Sequence, residues 1–331
     1  MTKVCIVGLG AIGGLFAAWL GRRLPPGEVR LSALARGATL AAVREHGLRL
    51  DGDSAPIPLH ISSDPHDLGP QDLVILAVKG PALAAVAPAV HALLTPHTQV
   101  LVAMNGVPWW FFDGLGGPCE GWSLASVDPG GAVRALIPSQ QVIGCVVHLS
   151  ATVPAAGAVK HVNGNGLIIG KPSGGSDAAL AALLERAGYA VTQSDRIQRE
   201  VWFKLWGNMT MNPISALTGA TADRVLDDPL VRGFCSAVML EAQAIGAAFG
   251  IAIDQQPEQR HAVTRKLGSF KTSMLQDVEA GRAIELDALV GAVREIGTRL
   301  GKPTPNIDAL LGLTRLMAQQ RGLYAAPAAP G

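Results

Sequence analysis

A lysine and two asparagines open the chemistry of this chain. Lys204, Asn208 and Asn212, in the run KLWGNMTMN, stand at i, i+4 and i+8. On an α-helix that spacing advances about 40° per step, so one face carries an ammonium and two amides in a row. Their neighbours Val201, Trp202, Phe203, Leu205 and Trp206 are apolar or aromatic. The helix is therefore expected to be largely buried, where a lysine needs a reason to stand. Ser273 in SMLQD and Glu285 in IELD add a hydroxyl and a carboxylate. A lysine facing a carboxylate and amides suits the polarisation of a carbonyl group. Taken singly, each residue also has an ordinary structural reading. Lys204 can snorkel to solvent, the asparagines can satisfy neighbouring backbone, Ser273 with Gln276 fits a helix capping box, and Glu285 fits a solvated acid at a helix start.

A second set of residues lies at the N-terminus. An apolar run over residues 4–7 leads into Gly8, Leu9, Gly10, Ala11, Ile12 and Gly13, and the residues that follow read as a helix. This is G-x-G-x-x-G between a strand and a helix. Gly8 can make the tight turn, Gly10 lets backbone approach a pyrophosphate, and Gly13 lets the helix pack on the strand, with helix N–H groups left for the anion. An NAD site places an acid roughly 20 residues beyond the glycines. No acid occurs between Glu28 and Glu45, and Arg36 stands at the end of the second expected strand. A guanidinium there can pair with a 2′-phosphate, which points to NADP over NAD. Lys79 and Asn105 close two further apolar strands on the side where open α/β sheets bind ligands.

These residues need elements to hold them. Strand and helix signals alternate over the first hundred residues, the pattern of a doubly wound parallel sheet. Between residues 109 and 170 the short runs QVIGCVVHL, GAVKHVN and GLIIG read as strands extending that sheet, with His148 and His161 as structural or surface histidines. From residue 197 the period becomes helical. One helix is expected to run to about residue 211 and stop before Pro213, followed by five more. The expected organisation is an α/β Rossmann domain over residues 1–195, an all-helical domain over 196–325, and a disordered tail at 326–331.

Composition limits the partners. Of 331 residues, 49% are apolar and 16% charged, with a net charge of +1. Low charge leaves room for a subunit interface, a homodimer included. Without a block of lysines and arginines, nucleic acid and anionic membrane are not expected as partners, and a small molecule is. The 4 cysteines have no metal-ligand spacing, so neither a zinc site nor a disulfide framework is expected. No uninterrupted apolar run reaches about 18 residues, and the expected location is cytoplasmic.

Taken together, GLGAIGG, Arg36, the VK of Lys79, the MNG of Asn105, KLWGNMTMNP, SMLQD and the Glu285 of IELD resemble the ketopantoate reductase (2-dehydropantoate 2-reductase) family over nearly the whole chain. The resemblance implies a Rossmann domain followed by a helical domain like that of 6-phosphogluconate dehydrogenase, with the active site in the cleft between them. It implies NADPH as cofactor, a 2-oxo acid as substrate, Lys204 as the catalytic lysine and Glu285 as the acid contacting substrate hydroxyls. Asn105, Asn208, Asn212 and Ser273 match substrate-side polar residues. Two departures stand out. VPWWFF follows MNG where simpler members have a smaller loop, and Phe270 stands where the best-known pattern has asparagine. Both leave open another branched or aromatic 2-oxo acid as substrate, or a different packing role for WWFF. A non-catalytic NADP(H) sensor is a further alternative, which the Lys204/Glu285 pair disfavours. An opine-type or 3-hydroxy acid dehydrogenase lacks a histidine motif here.

Overall fold

Apolar runs bounded by glycine and proline become the strands of one sheet in a computed structural model that describes residues 1–51 and 55–324. The expected tail at 326–331 lies outside the described residues. In chain order the sheet unit contains β1 (Thr2–Val7), α1 (Ala11–Arg23), β2 (Val29–Leu34), α2 (Gly37–His46), β3 (Arg49–Leu50), β4 (His60–Ser62) and α3 (Pro65–Leu68). It continues through β5 (Leu73–Leu76), α4 (Leu83–His91), β6 (Gln99–Val102), α5 (Ala132–Leu136), β7 (Val142–Thr152), β8 (Ala158–Gly170), α6 (Ala178–Arg186) and β9 (Ala190–Gln193). Strands β4, β2, β1, β5, β6 and β7 lie side by side, all parallel. That is the doubly wound order, with its switch point between β1 and β5. Strand β8 returns antiparallel to β7, and β3 and β9 pair with β8.

The central strands are buried on both faces, as their continuous apolar sequences require: Val4, Cys5 and Ile6 are each 0% exposed. Burial pushes the Cys5 thiol up to about 11, so it is a small apolar core residue. Helix α1 covers one face through Leu15, Phe16, Trp19 and Leu20. Trp19 in turn lies 4.6 Å from the Tyr189 ring, with the Arg23 guanidinium 3.8 Å above it.

One expectation in this unit differs from the structure: the last two of the three runs form a single strand, β8, while residues 109–141 hold turns and α5. Gly164 does not separate strands. With φ +70° it sits at the register shift opposite His148, where a Cβ would lie 2.7 Å from the His148 carbonyl oxygen, so it is a bulge glycine inside one ladder. His161 is structural, with Nε2 2.5 Å from the Gly164 carbonyl oxygen and its ring 5.0 Å from Trp19. The aromatic run after Asn105 is core. Trp110 closes over Gly144, where a Cβ would come within 2.5 Å of its ring, and Phe111 and Phe112 pack edge to face at 5.0 Å.

The helical unit contains α7 (Ile197–Thr218), α8 (Ala222–Asp227), α9 (Pro229–Ala248), α10 (Pro257–Arg265), α11 (Ser273–Glu279), α12 (Ala292–Arg299) and α13 (Pro305–Gln320). The first turn of α7 counts with the sheet unit, while residues 106–109 and 117–129 count with the helical unit. Helix α7 does not stop before Pro213 but runs through it. A proline inside a helix costs about 3 kcal/mol, yet residues 209–216 are all buried, so packing outweighs the local preference. Helix α9 packs against α8, α10, α12 and α13. It is the one described helix long and apolar enough to cross a membrane by length and composition. Its Glu241 carboxylate accepts from the Asn306 and Ile307 backbone N–H groups at 2.9 and 3.0 Å, capping α13.

His261 on α10 is 3% exposed, with Nε2 3.0 Å from Ser236 Oγ on α9. Burial holds its imidazole below the ordinary 6.5, with Arg232 and Arg265 acting in the same sense and Glu258 against it. The unfolded chain therefore binds the proton more readily, so the stabilisation is complete above about pH 6.5 and lost as pH falls through the folded-state value. Urea unfolding between pH 8 and 5 should show a stability loss on the acid side. In His261→Gln that slope should be shallower by up to one proton; an identical slope would exclude His261 as its source.

Candidate active site

Arg36, Lys79, Asn105 and the glycine loop lie along one edge of the sheet. Val7 pairs with Leu34 and with Leu76, and Leu76 pairs with Val102, so β2, β1, β5 and β6 end level with one another. Arg36 follows β2, the glycine loop follows β1, Lys79 follows β5 and Asn105 follows β6. With about 4.8 Å between strands, this row spans about 14 Å. Arg36 is exposed at the N-cap of α2, beside that helix's free N–H groups. Lys79 is half-buried and caps the turn Gly80–Ala82.

The three motif glycines have three different physical reasons. Gly8 has φ +93°, and a Cβ would lie 2.8 Å from Val78 Cγ1. At Gly13 a Cβ would lie 2.0 Å from the Gly8 carbonyl oxygen, so only glycine lets α1 sit this close to the end of β1. Around Gly10 a Cβ would meet nothing within 4 Å, although Gly10 is the N-cap of α1 and has no side chain to cap it. The space is left open at the helix N-terminus, where free N–H groups and the helix dipole favour an anion. The loop therefore fits the pyrophosphate of a dinucleotide, with Leu9, Ala11 and Ile12 supplying backbone.

The second group is on α7. The Trp206 indole N–H donates to the Met239 carbonyl oxygen at 2.8 Å, and Trp202 covers Gly246 on the same helix, with its ring 4.8 Å from Phe249. These contacts fix the rotation of α7 on α9. Lys204 and Asn208 are then half-buried on another face, in line with Asn212, which is 6% exposed. Gly207 lies between them, at a position where glycine costs about 1 kcal/mol relative to alanine. Arg260 of α10 takes up the space: a Cβ on Gly207 would lie 2.7 Å from its Nε.

Ser273 is exposed as the first residue of α11. The capping role read for it belongs to Thr272, whose hydroxyl accepts from the Leu275 N–H at 3.2 Å. Glu285 is half-buried between Ile284 and Leu286, which are 1% and 0% exposed. Its neighbours on both sides are clamped. The Ile284 N–H donates to the Leu323 carbonyl oxygen at 3.1 Å, and the Tyr324 hydroxyl donates to Asp287 Oδ1 at 2.6 Å. Asp287 opens a π-helical turn, Asp287–Gly291, to which the Val107 N–H is bound through the Ala288 carbonyl oxygen at 2.8 Å. Such turns recur at functional sites. Burial raises the Asp287 carboxyl, and burial together with Asp287 pushes the Tyr324 hydroxyl up to about 12.

The Tyr324–Asp287 bond and the approach of Arg260 to Gly207 were not legible in the sequence. A glycine inside an otherwise apolar helix, Gly207, was the one local sign that something presses on α7. Among the described residues, no group of three histidine, cysteine, aspartate or glutamate side chains is placed to hold a metal ion.

Comparison with known proteins bears on the whole chain. The family model described as Ketopantoate reductase PanE/ApbA matches residues 4–109, and its C-terminal counterpart matches 196–318. A 2-dehydropantoate 2-reductase of Mesorhizobium japonicum is 45% identical over 327 residues, covering 97% of this chain and 99% of that protein. A crystal structure from Ralstonia solanacearum MolK2, provisionally named a ketopantoate reductase, has 54% identity and a TM-score of 0.92, covering 98% of this chain and 100% of that one. A D-mandelate dehydrogenase solved with NADH and anilino(oxo)acetate has the same fold, with TM-score 0.81 at 22% identity over 97% of this chain and 99% of that one.

Two measurements separate the parts of this geometry. Gly13→Ala should destabilise the fold by about 3 kcal/mol or more through overpacking. Gly10→Ala should leave the melting curve in place while weakening NADPH binding, read by fluorescence titration; equal effects of the two would contradict the separate roles. Tyr324→Phe should raise hydrogen exchange at residues 283–291 without changing it in α9, whereas unchanged exchange there would remove the clamp.

Proposed function

Because the chain belongs to the ketopantoate reductase family, we propose that it reduces a 2-oxo acid, 2-dehydropantoate first among them, with Lys204 as the proton donor. It is an oxidoreductase acting on a CH–OH group, and the family's cofactor is NADPH. The observation that carries the reading is the face of α7, where Lys204, Asn208 and Asn212 stand in line on a helix whose rotation is fixed by Trp202 and Trp206.

When bound, NADPH supplies the hydride that reduces the ketone carbon. The open cradle at Gly10 and the free N–H groups at the start of α1 suit its pyrophosphate. Arg36, at the start of α2, suits a 2′-phosphate and supports NADPH over NADH. Lys79 and Asn105 complete the cofactor side. The Lys204 ammonium polarises the ketone by donating to its oxygen. As that oxygen gains charge it takes a proton from Nζ, giving the hydroxy acid and a neutral lysine that solvent reprotonates. A positioned acid of this kind contributes about 10²- to 10⁴-fold in rate. The amides of Asn105, Asn208 and Asn212 and the Ser273 hydroxyl hold the substrate, and Glu285 accepts from a substrate hydroxyl.

A second substrate reading has one observation behind it. Phe270, three residues before Ser273, is 37% exposed, and an aromatic surface there favours a larger, less hydroxylated 2-oxo acid. A protein that senses NADP(H) without turnover would not need Lys204 and Glu285 together. A cytoplasmic location and a homodimer complete the proposal. Leu230 and Leu240 on α9, and Leu313 and Leu316 on α13, are 84%, 48%, 60% and 56% exposed, apolar surface that a second copy would cover.

The test is oxidation of NADPH and of NADH with 2-dehydropantoate, phenylglyoxylate and unbranched 2-oxo acids. NADPH should be oxidised faster, with 2-dehydropantoate the better substrate. Faster NADH oxidation would overturn the reading of Arg36, preference for phenylglyoxylate would favour the aromatic substrate, and no oxidation with any of them would favour the sensor.

A further inference from the structure

We propose that Tyr324 is a positioning residue that makes the protein prefer a hydroxylated 2-oxo acid, by fixing the direction of the Glu285 carboxylate through Asp287. This rests on the reductase reading above, with Glu285 as the acceptor of a substrate hydroxyl.

Glu285 stands where little regular structure holds the chain. Residues 282–285 belong to no helix or strand, and helical geometry begins only at Leu286. A side chain at such a junction points where its neighbours on either side allow, and here both neighbours are tied to the segment that follows α13. The Gly322 and Leu323 N–H groups return to the carbonyl oxygens of Gln319 and Ala318 at 3.0 and 2.8 Å, with Gly322 at φ +66°. This glycine turn ends the helix and sends the chain back. Leu323, 4% exposed, then accepts from the Ile284 N–H at 3.1 Å. One residue further on, the Tyr324 hydroxyl donates to Asp287 Oδ1 at 2.6 Å. Glu285 lies between these two attachments.

The attachments differ in kind. The Leu323–Ile284 bond joins backbone to backbone, so any residue at position 323 could make it. The Tyr324–Asp287 bond joins side chains 37 positions apart and needs both of them. Burial, together with Asp287, pushes the Tyr324 hydroxyl up to about 12, so it remains a donor at neutral pH. A hydroxyl donating to a carboxylate at this distance makes one of the stronger hydrogen bonds. Asp287 also opens the π-helical turn Asp287–Gly291, which has an anchor of its own in the Val107 N–H on the Ala288 carbonyl oxygen. Removing the tyrosine hydroxyl therefore loosens the stretch around Glu285 and leaves the helices in place.

Chemistry identifies what a fixed carboxylate selects. 2-Dehydropantoate carries one hydroxyl, and trimethylpyruvate is the same acid without it. A site built to hydrogen-bond a substrate hydroxyl rejects the analogue that lacks it, because its own polar group is then left unpaired. A carboxylate free to swing to water gives up that preference, while hydride and proton transfer at the ketone are untouched.

The experiment measures kcat and KM for both acids at saturating NADPH in the wild-type protein, Tyr324→Phe, Asp287→Asn, Glu285→Ala and the double variant of Tyr324→Phe with Glu285→Ala, each checked by thermal melting. Tyr324→Phe should lower the kcat/KM ratio of 2-dehydropantoate to trimethylpyruvate about 10-fold. The KM for 2-dehydropantoate should carry the change, with its kcat and both constants for trimethylpyruvate held. Asp287→Asn keeps an acceptor for the tyrosine and should keep most of the ratio. Glu285→Ala should lower the ratio at least as far, and adding Tyr324→Phe to it should lower it no further. An equal loss for both acids in Tyr324→Phe would make the bond a structural tie only, and an unchanged ratio would leave it without a part in selection; either overturns the proposal while the reductase reading stands. An unchanged ratio in Glu285→Ala would remove Glu285 as the hydroxyl acceptor, and the proposal with it. If the wild-type protein reduces neither acid, the reductase reading itself falls.

Discussion

The seating of α7 on α9 is the interaction on which the rest depends. A lysine and two asparagines cannot keep one direction on a helix free to roll, because each would turn toward solvent. The Trp206 indole bonded to the Met239 carbonyl, and Trp202 laid on Gly246, remove that freedom. They use the largest side chains of the helix on the side away from Lys204. The same seating explains why Pro213 does not end the helix, since the residues around it are enclosed on all sides. Rigidity is what a proton donor needs, because its effect depends on standing within hydrogen-bond reach of the reacting oxygen.

The sheet unit solves a different problem, which is to bring polar backbone to an anion. Gly13 lets α1 approach the end of β1 until its Cα meets the Gly8 carbonyl, and that closeness directs the first N–H groups of the helix at the space kept open by Gly10. Level strand ends then set Arg36, the glycine loop, Lys79 and Asn105 in a row. In the reading proposed here one unit offers its strand ends to a long anionic cofactor, and the other a short polar row to a small acid. The chemistry proposed here divides in the same way. Charge recognition falls to backbone and arginine, and proton transfer falls to a lysine.

How much of this was legible follows from range. The glycine motif and the α7 face are local patterns, fixed by steric rules over six to nine residues, and the structure has the expected strand–turn–helix and helix at both. Helix α7 is longer than expected because a proline's local cost was set against burial that only the folded chain reveals. The two runs that form β8 looked separate because Gly164 reads as a turn unless its partner strand is known. Ser273 and Thr272 are adjacent and alike in capping chemistry, so only hydrogen bonds could assign the cap. Tyr324 beside Asp287 and Arg260 against Gly207 join residues 37 and 53 positions apart, and no periodicity announces such pairs.

The central claim is that Lys204 gives the proton on a face α7 holds still, and single-turnover oxidation of bound NADPH by saturating 2-dehydropantoate in Lys204→Met tests it most directly. The account predicts a rate about 10²- to 10⁴-fold below wild type, with NADPH affinity and the melting curve unchanged. A rate close to wild type would contradict it.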